Sequence, residues 1–471
     1  MVGIVSYGTH IPYYRLTKAA AAKPFGKRAG AGEKAVAYCD EDSVTMAVEA
    51  SMQAAANIDR NAVRAVFFAS ASSPYAEKIS ATEVAAALDL GISLRTADFT
   101  SSLRAGSEAM LTACQSVQNG GVALAAMGEC RLGAPDGKFE TDLGDAAAAF
   151  VFGTENLLAS VDEYVCISRD AVDQWRSADD ALMRDWDVRY AATQHYNPLV
   201  TKAVKELFAK EGTTAADYRW LVLYGHDEKN RTALARKLGF QPEQVAPSFY
   251  SMIGNSGNAA CGVMLANVLD QAQAGERILF VSYGDGCTAM SLTVQKPAAP
   301  ETTVQQKIDR KNNELPYGKY LKWKGLITCE PQKRPAQERS ALPDYHRNYK
   351  KNHALYGSRC TACGTPVFPP QRVCVHCHAI DQMEPYRFLG KKATIRTFTM
   401  DGVSLSLDAP NILVVVEFEG GGKMMSYLVD CRKEDVKVGM AVRPTFRKLF
   451  QENGVHTYFW KVVPEEQEES K

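Results

Sequence analysis

Apolar residues come in short, nearly unbroken runs over the first two thirds of the chain and in alternation near its end. The runs at residues 2–7, 64–70, 121–128, 146–152, 220–225 and 278–284 lack the polar alternation of a strand with one wet face. They predict strands of a sheet covered on both sides. Between them, residues 40–56, 82–88 and 258–269 carry helical patterns, and another helix is expected after residue 225, reaching Leu238. Asp40, Glu41 and Asp42 would sit in the first turn of the first of these helices and suit its positive end. Strands alternating with helices predict one large α/β unit over residues 1–327.

After that the pattern changes. Residues 331–340 are charged and contain two prolines, the composition of a linker. A basic, Tyr-rich stretch, residues 345–356, predicts a helix. Beyond Arg387 the period becomes two, with strands expected at 393–399, 412–418, 423–429, 441–446 and 457–463 and a hairpin turn at Gly420-Gly421-Gly422. Five short strands in so few residues predict a small barrel of OB type.

One stretch stands apart. An extended segment at 92–97 leads through Asp98-Phe99-Thr100-Ser101-Ser102-Leu103-Arg104 into a helix with an apolar face at Met110, Leu111, Ala113 and Cys114. A strand, a tight turn and a helix put free backbone N–H groups at a positive helix end, a place to hold a nucleophile or an oxyanion. The residue at this turn, Leu103, serves neither purpose.

Length and charge narrow the classes. A chain of 471 residues is too long for one ordinary core. Lys+Arg and Asp+Glu are both 54, and the barrel lacks a basic groove with exposed aromatics, so no nucleic-acid partner is expected. No apolar run reaches the roughly 18 residues of a membrane span. The N-terminus enters a strand with no basic and apolar leader, so a cytoplasmic, reducing setting is expected.

Of 12 cysteines, eight are isolated and read as small buried hydrophobes. The other four form Cys360-Thr361-Ala362-Cys363 and Cys374-Val375-His376-Cys377. Thiolates at i and i+3 on two knuckles complete the tetrahedron of a structural zinc site with no open position. His376 and His378 are alternative ligands, but four cysteines suffice. The expected layout is therefore the α/β domain at 1–327, a linker and helical segment at 328–356, a zinc ribbon at 357–383, an OB-fold domain at 384–463 and an acidic tail at 464–471.

Residues 1–327 resemble the hydroxymethylglutaryl-CoA synthases of archaeal and bacterial type, members of the thiolase superfamily. The resemblance rests on Gly3-Ile4-Val5-Ser6-Tyr7-Gly8 with Ile11-Pro12, Glu33-Lys34-Ala35-Val36 with the run Asp40 to Ala47, Ser73-Pro74-Tyr75-Ala76, Ala105-Gly106, Ile253-Gly254-Asn255-Ser256, and Ser282-Tyr283-Gly284. Residues 340–463 resemble the rubredoxin-like zinc-ribbon and OB-fold proteins that accompany acyl-CoA thiolases and synthases. The resemblance implies a thiolase-like layered αβαβα fold followed by a ribbon and a barrel, a coenzyme A ester as ligand, a homodimer, and a further thiolase or synthase as a partner class.

The family's catalytic residues do not carry over. Its nucleophilic Cys falls on Leu103 in Leu103-Arg104-Ala105-Gly106, its general-base Glu on Ala71, and its strand-end His on Tyr224 in Val222-Leu223-Tyr224-Gly225-His226. The Asn that helps to bind the acyl oxygen is retained as Asn255. Covalent acyl transfer needs a thiolate or an activated alkoxide, which Leu103 does not supply. A neutral phenol at Tyr224 could polarise a thioester carbonyl or protonate an enolate. That suits aldol or retro-aldol chemistry on a β-hydroxyacyl-CoA without an acyl-enzyme. His226 is the first choice of base, with Asp227 to orient it, and His195 the second. The basic loop with Lys23, Lys27, Arg28 and Lys34 could meet nucleotide phosphates. Two other readings compete: a non-catalytic CoA-binding or scaffolding subunit, and a synthase-like acyltransferase with an altered nucleophile.

Overall fold

The computed structural model describes residues 1–118, 120–330, 342–403 and 406–465. The linker expected at 331–340 and most of the acidic tail lie outside the described residues. The chain divides into two compact units, Met1–Ala85 with Leu90–Tyr320, and Ala86–Asp89 with Leu321–Lys471.

The first unit is built on a nine-stranded sheet. Its spatial order is Trp220–Leu223, Arg277–Tyr283, Gly286–Val294, Ala159–Ser168, Gly3–His10, Ala146–Gly153, Val122–Glu129, Val63–Ala69 and Arg95–Phe99. Among the described residues, the ladder that joins the two halves has two register pairs, Gly3↔Ser160 and Ile4↔Ala159. That thin seam lets the halves act as two sheets with helices between them. Helix Asn258–Leu269 is apolar all round and buried at every position, as a helix enclosed on every side must be. It packs on strands of both halves and on helix Ala105–Ser116. Ser43–Ala54 covers one half and Asn197–Glu211 the other. The result is the layered αβαβα arrangement of a thiolase-like fold.

Several boundaries move for physical reasons. Helix Ser43–Ala54 starts at its cap, not among the acids. Asp42 accepts from the N–H groups of Val44 and Thr45, and Thr45 closes the capping box. Glu41 is used before the helix, accepting from the N–H of Tyr38 and bonding His10. The extended segment expected at 92–97 is instead the strand Arg95–Phe99. Its parallel pairing runs from Ala65↔Arg95 to Ala69↔Phe99, and Ile92 is fully exposed before it. The strand that carries Tyr224 stops at Leu223.

In the second unit, the Tyr-rich stretch forms two short helices, Leu342–Arg347 and Tyr349–Ala354, and Tyr356 already begins a ribbon strand. Strands Ala393–Asp401, Asn411–Phe418, Lys423–Leu428, Ala441–Glu452 and Val455–Pro464 close into a barrel. Alternate residues of Asn411–Phe418 are buried, the period-two signature of a barrel wall. Trp460 is wholly buried, and its indole N–H donates to the carbonyl of His353 at 3.0 Å. A buried Asp430–Arg447 pair lies in the same unit. Among the described residues, no helix is long and apolar enough to cross a membrane.

Candidate active site and zinc centre

The turn at Leu103 is tied down from below. Asn258, at the start of the central helix, accepts from the N–H of Gly106 at 2.9 Å and donates to the carbonyl of Ser102 at 3.0 Å. It also donates to Glu129, a fully buried carboxylate that ends its strand. Glu129 accepts further from the Ser72 hydroxyl at 2.5 Å and the N–H of Ala71 at 3.2 Å. One carboxylate thus ties together the segments that carry Ala71 and Leu103. Gly284 closes the turn from the side. A Cβ there would stand 2.8 Å from the nitrogen of Arg104 and 3.0 Å from that of Leu103.

Over this base lies a cavity of about 490 Å³. Leu103 and Ala71 line it, so both positions open into space and are not plugged. Ser102, Arg131, Asp173, His226 and Tyr283 line the same cavity.

Asp173 is the hub of its titratable groups. It accepts from the Tyr283 hydroxyl, and its other oxygen is 2.6 Å from Nδ1 of His195. Nε2 of His226 is 3.8 Å from Asp173. Neither ring nitrogen of His226 has a hydrogen-bond partner. Burial pushes the Asp173 carboxyl up, but His226, Tyr283 and His195 more than offset it and hold it at about 2. Burial and the bond to Asp173 push the Tyr283 hydroxyl far above its ordinary range. Asp173 is therefore ionised and Tyr283 a neutral donor at neutral pH.

Tyr224 and Asn255 are together but turned away from that cavity. The Tyr224 hydroxyl is 3.3 Å from Oδ1 of Asn255, which also accepts from the N–H of Gly257. The Asn255 amide donates to the carbonyls of Gly225 and His226. Neither side chain lines the cavity. Burial raises the Tyr224 hydroxyl, opposed by the Arg131 charge and the bond to Asn255. Asp227 does not orient His226. Its carboxylate caps helix Glu228–Lys237 through the N–H and amide of Asn230. His195 belongs to the site through Asp173.

The basic loop is only partly as expected. Lys23 and Arg28 are exposed. Lys27 is also exposed and pairs with Asp136 at 2.6 Å. Lys34 lies on strand Glu33–Val36 and is buried, its ammonium 3.1 Å from the Tyr320 hydroxyl and over that ring. That cation faces the protein, because the strand register turns it inward.

Arg131, Asp173 and Glu129 escape sequence reasoning. Asp173 sits in an irregular segment without periodicity. Arg131 and Glu129 did leave a signal, charged residues at the end of a strand of small apolar ones, where α/β sheets place their chemistry.

In the second unit the four cysteines converge. Their sulfurs all lie within 4.8 Å of one another, and the Cys360–Cys377 and Cys363–Cys374 pairs stand at 3.6 Å. Zinc–sulfur bonds of about 2.3 Å in a tetrahedron separate sulfurs by about 3.8 Å, so the set fits the ion. Backbone bonds from Gly364 to Cys360 and from His378 to Cys374 form the two knuckles. His376 and His378 are outside the cluster. This is a structural zinc site.

Comparison with known proteins agrees. Residues 347–381 match the family described as ChsH2, rubredoxin-like zinc ribbon domain, and residues 386–447 that described as ChsH2, C-terminal OB-fold domain. Residues 208–296 match the 3-oxoacyl-[acyl-carrier-protein] synthase III C terminal. The hydroxymethylglutaryl-CoA synthase of Methanocaldococcus jannaschii is 34% identical over 349 residues, 69% of this chain and 99% of the relative. That of Methanosphaera stadtmanae is 32% identical over 344 residues, again 69% and 99%. Among solved structures, an HMG-CoA synthase complexed with CoA matches with a TM-score of 0.61 at 19% identity, over 68% of this chain and 89% of that one. MvaS in complex with 3-hydroxy-3-methylglutaryl coenzyme A matches with 0.61 at 20%, over 71% and 94%.

Proposed function

Because this chain belongs to the hydroxymethylglutaryl-CoA synthase family, we propose that it performs acyl-CoA carbon–carbon chemistry without a covalent acyl-enzyme, as an aldolase or retro-aldolase acting on a β-hydroxyacyl-CoA. One observation carries the reading. The cavity beside this turn is open and lined by Leu103 together with His226, Asp173 and Tyr283. It has proton-transfer groups, and Leu103 at the turn cannot accept an acyl group.

In the cleavage direction, His226 takes the proton of the β-hydroxyl. The Cα–Cβ bond breaks, its electron pair passes into the thioester enolate, and the β-carbon becomes a carbonyl. The imidazolium then returns a proton to Cα, giving a shorter acyl-CoA and a ketone or aldehyde with no net oxidation. Asp173 is placed to steady the imidazolium. Leu103 supplies a lipophilic wall, and Tyr224 with Asn255 supports the segment that carries His226, whose carbonyl accepts from the Asn255 amide. The exposed Lys23, Lys27 and Arg28 would meet nucleotide phosphates.

A homodimer goes with this reading. Strand Arg95–Phe99 ends the sheet with one neighbour, leaving an edge that a second copy could pair. The ribbon and barrel would dock a thiolase or synthase partner. The proposed domain limits remain residues 1–327, 357–383 and 384–463.

The test is incubation of the purified chain with β-hydroxyacyl-CoA thioesters, reading the shortened acyl-CoA and the released carbonyl by mass spectrometry. Binding without turnover would favour the non-catalytic subunit. An acyl group retained covalently on the protein would favour the acyltransferase.

A further inference from the structure

Arg131 is 3% exposed, yet none of its three guanidinium nitrogens has a hydrogen-bond partner. It makes no ion pair among the described residues. Glu129, two residues before it, is occupied by Ser72, Ala71 and Asn258. A buried unpaired cation is among the most expensive groups a fold can keep. The guanidinium lies against Gly257, where a Cβ would meet its Nε at 2.9 Å and its Nη2 at 3.0 Å. It borders the same cavity as His226 and Leu103. The fold therefore holds a planar, charged, multi-donor group at the wall of a cavity, with the neutral Tyr224 hydroxyl near it and no carboxylate paired to it among the described residues.

We propose that Arg131 is a catalytic residue that grips both oxygens of a β-hydroxy thioester, the β-hydroxyl oxygen and the thioester carbonyl oxygen. This rests on the reading of the site given above. These two oxygens are borne by the first and third carbons of one three-carbon unit, and a guanidinium edge presents two parallel N–H groups to such a pair. Negative charge travels between those same two oxygens during cleavage. It develops on the β-oxygen as His226 takes the proton, then appears on the thioester oxygen as the Cα–Cβ electron pair moves into the enolate. A fixed cation spanning both stabilises the charge throughout its passage. The protein's own phenol at Tyr224 is bonded to Asn255, so Arg131 is the group placed to supply that charge.

The experiment compares wild type with Arg131→Met and Arg131→Lys. It measures equilibrium binding of a β-hydroxyacyl-CoA and of the same acyl-CoA without the hydroxyl, together with cleavage kinetics and thermal stability. Wild type should prefer the hydroxylated thioester by about tenfold or more, the range of a charge-assisted hydrogen bond. Arg131→Met should abolish that preference, lower kcat more than it raises KM, and leave Tm unchanged or higher, since it removes an uncompensated charge. Arg131→Lys should restore part of kcat. A variant that keeps the preference and kcat overturns the assignment while leaving the reaction intact. So does a loss confined to thioesters with a separate carboxylate on the acyl chain, which would make Arg131 a reader of that anion. Failure of wild type to bind either thioester overturns the functional reading itself, and Arg131 falls with it.

Discussion

Nε2 of His226 stands 3.8 Å from the Asp173 carboxylate, and both ring nitrogens are without hydrogen bonds. The distance is too long for a hydrogen bond and short enough for a charge on the ring to be felt. An imidazole so placed can take a proton from a ligand and gain the carboxylate's attraction only once it is charged. His226→Asn should therefore lower cleavage of a β-hydroxyacyl-CoA by about 100-fold or more, with little change in thioester affinity. Steady-state kinetics beside equilibrium binding checks it, and near-wild-type kcat would remove His226 from the mechanism.

Tyr224→Phe separates a catalytic phenol from a structural one. Its hydroxyl is bonded to Asn255 and does not line the cavity. The substitution should cost about 1 kcal/mol of stability and lower cleavage only several-fold, well short of the His226→Asn effect. Urea unfolding and kinetics on the same preparation decide it. A loss as large as that of His226→Asn would place the phenol at the reacting atoms.

The low pKa of Asp173 makes a pH prediction. A carboxyl held at about 2 against an ordinary 3.8 contributes stability that is fully present above the unfolded value. That stability is lost as pH falls through the folded one. Asp173→Asn should therefore be less stable than wild type by up to about 2 kcal/mol at pH 6, and the gap should close between about pH 4 and pH 2. Denaturant titrations across that range measure it, and a gap that stays constant down to pH 2 would refute it.

Gly284→Ala should damage the turn more than the fold. The new Cβ would press on the nitrogens of Arg104 and Leu103 and on the Ser102 hydroxyl, at 2.8 to 3.0 Å. Overpacking of this kind costs about 1–3 kcal/mol, and the displaced Leu103 wall should lower thioester affinity. Calorimetric binding with a melting curve tests both parts.

Metal analysis should find one zinc ion per chain, and Cys374→Ser should abolish it. Strong chelators should expose the four thiols to alkylation and lose the ribbon, because metal binding and folding of such a site are one event. A chain that keeps its ribbon contacts without metal would show a site that holds its shape alone.

Local patterns in the sequence reached far into the fold. Helix Asn258–Leu269 was legible because a run apolar on every side has only the interior to go to. The barrel strands were legible because their period of two is a property of each segment alone. The ribbon was legible because two knuckles at i, i+3 define their own ligand set. The site was less legible. Tyr224 and Asn255 could be picked out in the chain, but their bond to each other, and their absence from the cavity wall, depend on how the 250–258 segment returns beneath a strand end. Lys34 looked like a loop cation until strand pairing turned it inward.

By itself, the sequence determined the class of fold, the zinc ligands and the apolar residue, Leu103, at the strand-to-helix turn, since each depends on residue type and near-neighbour spacing. Only the tertiary structure decided where chemistry could remain. Asp173, His226 and Tyr283 come from three separate segments, and Arg131 from a fourth. Their meeting at one cavity follows from sheet order and layer packing, which bring together residues far apart along the chain, such as Ser102 and Asn258, 156 positions apart. A buried charge without a partner is likewise visible only when every neighbour is in place, because its meaning lies in what does not surround it.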